Sequence, residues 1–160
     1  MTPTATPRVL MVCLGNICRS PTAEAALREA ADRDGVALEV ESAGTASWHV
    51  GSDPDPRTVA AGRELGLRVS GQGRQVTPAD FGEFDLLVAM DASNLRDLQE
   101  LAPSPQAAAR IRLFRDYESG AEGRDVPDPY SGGDDGFLEV VGMARRAADG
   151  LLARLVAGDA

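Results

Sequence analysis

Apolar and polar positions fall into alternating blocks along this chain. Val9-Leu10-Met11-Val12 is apolar without a break, the pattern of a central parallel strand covered on both faces. Phe84 to Ala89 reads as a second buried strand, and Ile111 to Phe114 as a third, alternating one. Ala37 to Glu41 makes a shorter strand. Helical stretches separate them. Ser20-Pro21 predicts a helix start, with Ser at N-cap and Pro at N1, running to about Arg33 and stopping near Gly35. Thr58 to Leu65 reads as a helix ended by Gly66, and Asp91 caps another through about Leu101, stopped by Pro103. Phe137, Val140, Val141, Ala144, Ala148, Leu151, Leu152 and Leu155 form one apolar face of a last helix. Residues 116–136, rich in Asp, Gly and Pro, predict a long surface loop, a feature that usually carries function or motion. Strands alternating with helices predict a three-layer α/β/α sandwich on a parallel sheet, with ligands bound beyond the carboxyl ends of the strands.

The segment leaving the first strand is Cys13-Leu14-Gly15-Asn16-Ile17-Cys18-Arg19-Ser20. A nucleophile candidate and an arginine bracket a short strand-to-helix loop. Such a loop can curl so that successive backbone N–H groups face one centre and bind an anion. The helix start adds free N–H groups and its positive dipole end. Arg19 offers a planar, bidentate fork for phosphate, and a cation at a helix N-terminus itself suggests an anionic partner. Gly15 and Asn16 both tolerate the positive φ that a tight nest requires. Cys13 lies under this cradle, in a positive field that favours the thiolate needed to attack phosphorus.

Cys-x-Gly-Asn-Ile-Cys-Arg-Ser-Pro near the N-terminus resembles the signature of the low-molecular-weight protein tyrosine phosphatases. The resemblance extends from Arg8 to about Leu155 through Ser42-Ala43-Gly44-Thr45, Trp48-His49-Val50-Gly51, Asp53-Pro54-Asp55-Pro56-Arg57, Arg74-Gln75, Met90 to Leu95 and Asp128-Pro129-Tyr130. It implies a four-stranded parallel sheet of order 2-1-3-4 and phosphotyrosine hydrolysis through a cysteinyl-phosphate, with no cofactor and no metal. Cys13 is then the nucleophile, Leu14 to Ser20 the phosphate loop, Arg19 the phosphate clamp and Asp128 the general acid. Ser20 gains the further role of donating to the Cys13 sulfur. Trp48, His49 and Tyr130 wall the pocket. Asp91, first a helix cap, is placed near the site by the same likeness.

Composition narrows this further. At 160 residues and 43% hydrophobic content, the chain suits one globular domain, expected over residues 8–157, after a flexible tail at 1–7 without signal-peptide character. No apolar run approaches the ~20 residues of a membrane span. The net charge of −9 disfavours binding to nucleic acid or anionic membrane, so a phosphate site must work by local charge. Every one of the 16 basic residues is arginine, which reads as genome composition. Cys13 and Cys18 are too few for a disulfide scaffold, and His49 is the sole histidine, which argues against zinc. These features predict a cytoplasmic protein; the resemblance implies phosphotyrosine proteins as substrates, and a monomer is expected.

Some residues keep two readings. Cys18 is either a packed thiol or a partner that forms a disulfide with Cys13 under oxidation. Asp128, between prolines, could be turn chemistry, and Asp125 and Asp134 are nearby acids that match no motif. Two positions depart from the family pattern. Ser131 replaces a second tyrosine, and Gly71 stands where many members carry a histidine that braces the phosphate loop; Ser42 and Asn16 are left to brace it. Rival readings are an arsenate reductase, which would need later cysteines absent here, an arginine phosphatase, in which threonine takes the place of Ile17, and a non-catalytic phospho-anion module.

Overall fold

A computed structural model describes residues 6–160. The tail expected at residues 1–7 lies, through Ala5, outside the described residues. Four strands, β1 (Arg8–Cys13), β2 (Glu39–Gly44), β3 (Leu86–Ala89) and β4 (Ile111–Leu113), form one parallel sheet of order β2-β1-β3-β4. β1 is central, pairing Arg8–Cys13 with Glu39–Gly44 on one side and Val9–Val12 with Leu86–Ala89 on the other. Val9, Leu10, Met11 and Val12 are all fully buried, as their unbroken apolar run requires.

Their side chains alternate between two cores. Val9 and Met11 pack with α1 (Arg19–Asp34), α2 (Pro56–Glu64) and α6 (Asp134–Ala157). Leu10 and Val12 pack with α3 (Asp80–Glu83), α4 (Ala92–Leu101) and α5 (Pro105–Ala108). Helices therefore cover both faces, giving the three-layer α/β/α sandwich. α1 leads to β2 on one face, whereas α4 leads to β4 on the other. The loops leaving β1 and β3 thus diverge and open a crevice at the carboxyl end of the sheet.

Several boundaries differ from the sequence reading. β2 begins at Glu39 and reaches Gly44, because pairing with Met11–Cys13 extends it beyond its own apolar pattern. Ser20 does not cap α1: the cap position is Cys18, with no side-chain cap bond, and Ser20 is the second helical residue. α3 and α5 carry no pattern long enough to predict, and a 3-10 turn, Phe114–Tyr117, follows β4.

A close approach locks the last helix in place. A Cβ on Gly150 of α6 would lie 1.8 Å from the Tyr117 carbonyl oxygen, which is backbone and has no rotamer to yield. Gly150→Ala should therefore separate α6 from the 3-10 turn and cost about 1–3 kcal/mol. A thermal melt is expected to show Tm lower by roughly 3–10 °C, whereas Gly133→Ala, whose Cβ meets nothing within 4 Å, should melt close to the parent.

Candidate active site

The crevice holds one pocket lined by Cys13, Leu14, Gly15, Ile17, Cys18, Arg19, Trp48, His49, Asp128 and Tyr130. Residues from three separated parts of the sequence meet there. Its floor is the loop from Cys13 to Arg19. Asn16 adopts φ 56°, the sole positive φ at a non-glycine position among the described residues. That left-handed step turns the chain so that the Asn16 N–H donates to Cys13 Sγ at 3.2 Å.

The Asn16 side chain then braces the loop. Its Nδ2 donates to Ser20 Oγ at 2.9 Å and to Ser42 Oγ at 2.9 Å, and its Oδ1 accepts from the Arg74 N–H at 3.0 Å. These three partners fix the orientation of the amide. Because Ser20 Oγ already accepts from Asn16, its own proton is free for Cys13 Sγ, 3.0 Å away. Ser20 thus places its hydroxyl against the sulfur and caps no helix. Gly71, in place of the family's histidine, has φ +114°, a conformation in which a side chain would be strained. The Arg74 backbone supplies a brace here.

Arg19 is buried. Its Nη1 donates to Asp91 Oδ2 at 2.5 Å and to the Val126 carbonyl at 3.1 Å, and its Nη2 lies 3.7 Å from Asp128 Oδ2. Burial works against its charge, but the Asp91 hydrogen bond and the fields of Cys13, Asp91 and Asp128 outweigh burial and hold the guanidinium above its ordinary value. Asp91 also caps α4, accepting from the Asn94 N–H at 2.7 Å. One carboxylate therefore starts the helix and aims the arginine. Sequence reasoning gave Asp91 the cap and not the ion pair. Its place at the carboxyl end of a buried strand was the available signal.

Asp128 is half exposed at the rim and accepts from the Tyr130 N–H at 3.1 Å. Trp48 is 72% exposed and Tyr130 49%, so both rings stand open to solvent at the mouth. Arg57 supports Tyr130 from behind. Its guanidinium lies 5.4 Å from the Tyr130 ring centre and 4.6 Å from that of Phe137, and it pairs with Asp55 at 2.9 Å. Asp55 in turn caps α2 and donates its N–H to the Ile17 carbonyl at 2.8 Å. The sequence motif Asp53-Pro54-Asp55-Pro56-Arg57 holds both residues but did not reveal this role. Ser131 and Asp134 do not line the pocket.

The family comparison decides what this arrangement belongs to. The model described as low molecular weight phosphotyrosine protein phosphatase matches residues 8–159. The chain belongs to that family. A low molecular weight protein-tyrosine-phosphatase of Streptomyces coelicolor is 47% identical over 152 residues, covering 92% of this chain and 93% of that protein. Among solved structures, an Entamoeba histolytica protein tyrosine phosphatase with Hepes in its active site superposes with TM-score 0.93 at 35% identity, covering 97% and 100% of the two chains. A YwlE arginine phosphatase, a protein known from Bacillus subtilis, superposes with TM-score 0.84 at 26% identity over 93% and 95%. The resemblance read from the loop and the 2-1-3-4 sheet order both hold for this low molecular weight phosphatase.

Within this phosphatase the two cysteines differ. Both are free and buried. Burial pushes the Cys18 thiol up to about 12, and the charge of Asp55 pushes the same way. A raised value means Cys18 stays protonated at neutral pH, and the neutral thiol is a poor nucleophile. Iodoacetamide at pH 7.5 is expected to alkylate Cys13 and leave Cys18 intact, as read by peptide mass mapping. Labelling of Cys18 at a comparable rate would contradict this reading of its surroundings.

Proposed function

We propose that this protein hydrolyses phosphotyrosine in proteins, and small aryl phosphates, through a cysteinyl-phosphate intermediate. The observation that carries the reading is the convergence of Cys13 Sγ, the buried Arg19 and Asp128 around one pocket in a chain of this family. The phosphate rests on the backbone N–H groups of residues 14–19 and on the Nε–Nη2 edge of Arg19, since Nη1 is engaged by Asp91 and Val126. The Cys13 thiolate attacks phosphorus in line. An S–P bond forms, the P–O bond breaks, and the Asp128 carboxyl gives its proton to the departing tyrosine oxygen. The Asp128 carboxylate then takes a proton from water, whose oxygen attacks phosphorus. The S–P bond breaks, and the Ser20 hydroxyl stabilises the returning thiolate. Arg19 and the loop N–H groups compensate the charge on the equatorial oxygens, so the steps call for no metal. The structure of the YwlE arginine phosphatase noted above, a cysteine-to-serine variant with its active-site serine phosphorylated, supports a covalent route by likeness.

Trp48, His49 and Tyr130 form the walls against which the substrate ring stacks, contributing about 0.5–1.5 kcal/mol beyond burial. The reading extends to a cytoplasmic monomer. The two free cysteines fit a reducing compartment, and no helix among the described residues is long and apolar enough to cross a membrane.

Matched phosphotyrosine, phosphoserine and phosphoarginine peptides, assayed with EDTA beside a Cys13→Ser control, test the proposal. Turnover of phosphotyrosine that vanishes in the control is expected. A preference for phosphoarginine would move the function to that rival and make Ile17 a poor discriminator.

A further inference from the structure

The segment that carries Asp128 is held at its root by contacts outside the pocket. Asp125 Oδ1 accepts from the Ala92 N–H at 3.0 Å, at the first residue of α4. The Val126 N–H donates to the Met90 carbonyl at 2.8 Å. Arg115 Nη1 donates to the Asp125 carbonyl at 3.0 Å. Arg115 is in turn fixed by Glu118, whose Oε1 accepts from Arg115 Nε at 2.9 Å and whose Oε2 accepts from Arg146 Nε of α6 at 3.0 Å. Glu118 is only 7% exposed, a burial that an unpaired carboxylate would not tolerate. Burial alone would raise its carboxyl, but the hydrogen bonds from Arg146 and Arg115 hold it below the ordinary range. Asp125 and Val126 are thereby tied to the turn at Met90–Ala92, which also carries Asp91 and so aims Arg19.

We propose that Asp125 and Arg115 are positioning residues for the general acid, pinning the loop three residues before Asp128 so that its carboxyl faces the leaving oxygen. This rests on the reading of Asp128 as that acid. Pro127 and Pro129 flank Asp128 and stiffen the chain, so a shift at residue 125 is passed to the carboxyl and not absorbed. In the first step, which kcat/KM reports, the acid acts on the leaving group alone. Its misplacement therefore has a signature that general destabilisation lacks: a loss that grows with the basicity of the leaving oxygen.

The test is kcat/KM of the full chain for an activated substrate, 4-nitrophenyl phosphate, and for phosphotyrosine, with the inhibition constant of inorganic phosphate as a check on the cradle. Asp125→Ala is expected to lose about 10-fold on phosphotyrosine and less than about 2-fold on 4-nitrophenyl phosphate, with phosphate inhibition unchanged. Asp125→Asn keeps an acceptor for the Ala92 N–H and should restore most of the loss. Arg115→Met should repeat the pattern. Equal losses on both substrates, or none, in Asp125→Ala would overturn the proposal whether or not Arg115→Met folds. Asp128→Ala separates the two readings. If it shows the leaving-group signature and Asp125→Ala does not, only the positioning role fails. If it shows none, the general-acid assignment fails and the positioning role with it.

Discussion

Cys13→Ser is expected to lower turnover of phosphotyrosine at least about 10⁴-fold while leaving phosphate binding within a few fold of the parent. The Asn16 N–H at 3.2 Å and the Ser20 hydroxyl at 3.0 Å are donors aimed at the position-13 side chain, and buried Arg19 lies beside it. These groups stabilise an anionic sulfur far better than they can generate an alkoxide, because a serine hydroxyl gives up its proton much less readily than a thiol. A serine there would remain a neutral hydroxyl and a weak nucleophile. The cradle does not depend on sulfur. The loop N–H groups, the Asn16 brace to Ser20 and Ser42 and the Arg19–Asp91 pair all remain, so inorganic phosphate should still bind. Calorimetric titration with phosphate beside a steady-state assay separates the two effects. Residual turnover above about 1% of the parent would remove Cys13 from the nucleophile role.

The split between what one residue does and what its surroundings do also explains which parts of this protein could be read from sequence. β1 announces itself because all four of its central residues are apolar, and a two-sided strand needs that regardless of partner. The Asp91 cap is local chemistry and appears where expected. Ser20 looked like a cap by the same local rule, yet its partner is a sulfur seven residues earlier, a contact that depends on the Asn16 turn and that the family resemblance implied where spacing alone could not. β2 runs to Gly44 because β1 pairs with it, a non-local cause that its own alternation does not express. The short helices α3 and α5 are fixed by packing under the sheet, below the length at which a helical period can be seen. At the site, Cys13 and Arg19 were legible because they share one loop. The supports, Asp91 on Arg19 and Arg57 behind Tyr130, join parts of the chain far apart and came only with the fold.

Asp128→Ala should lower kcat/KM for phosphotyrosine by roughly 10²–10⁴-fold, with a much smaller loss on 4-nitrophenyl phosphate. The physical reason is the leaving group. A tyrosine oxygen departs as a phenolate whose conjugate acid has a pKa of about 10, so protonation as the P–O bond breaks removes much of the barrier. A nitrophenolate is far less basic and departs without that proton. Asp128 is suited to the task by place. Its carboxyl stands at the rim, half exposed, 3.7 Å from Arg19 Nη2, close enough to reach a phosphoryl group held by that arginine yet open to water for the second step. Its Tyr130 N–H partner engages only Oδ1, leaving Oδ2 on the Arg19 side. The substitution also removes the base that activates water, so hydrolysis of the intermediate should slow as well. Rapid-quench kinetics with 4-nitrophenyl phosphate should then show a burst of nitrophenol stoichiometric with enzyme, followed by slow turnover. A variant that loses activity equally on both substrates and shows no burst would place the acid elsewhere. The burst matters more than the rate loss, because it requires a covalent phospho-enzyme and a carboxylate that serves both halves of the reaction.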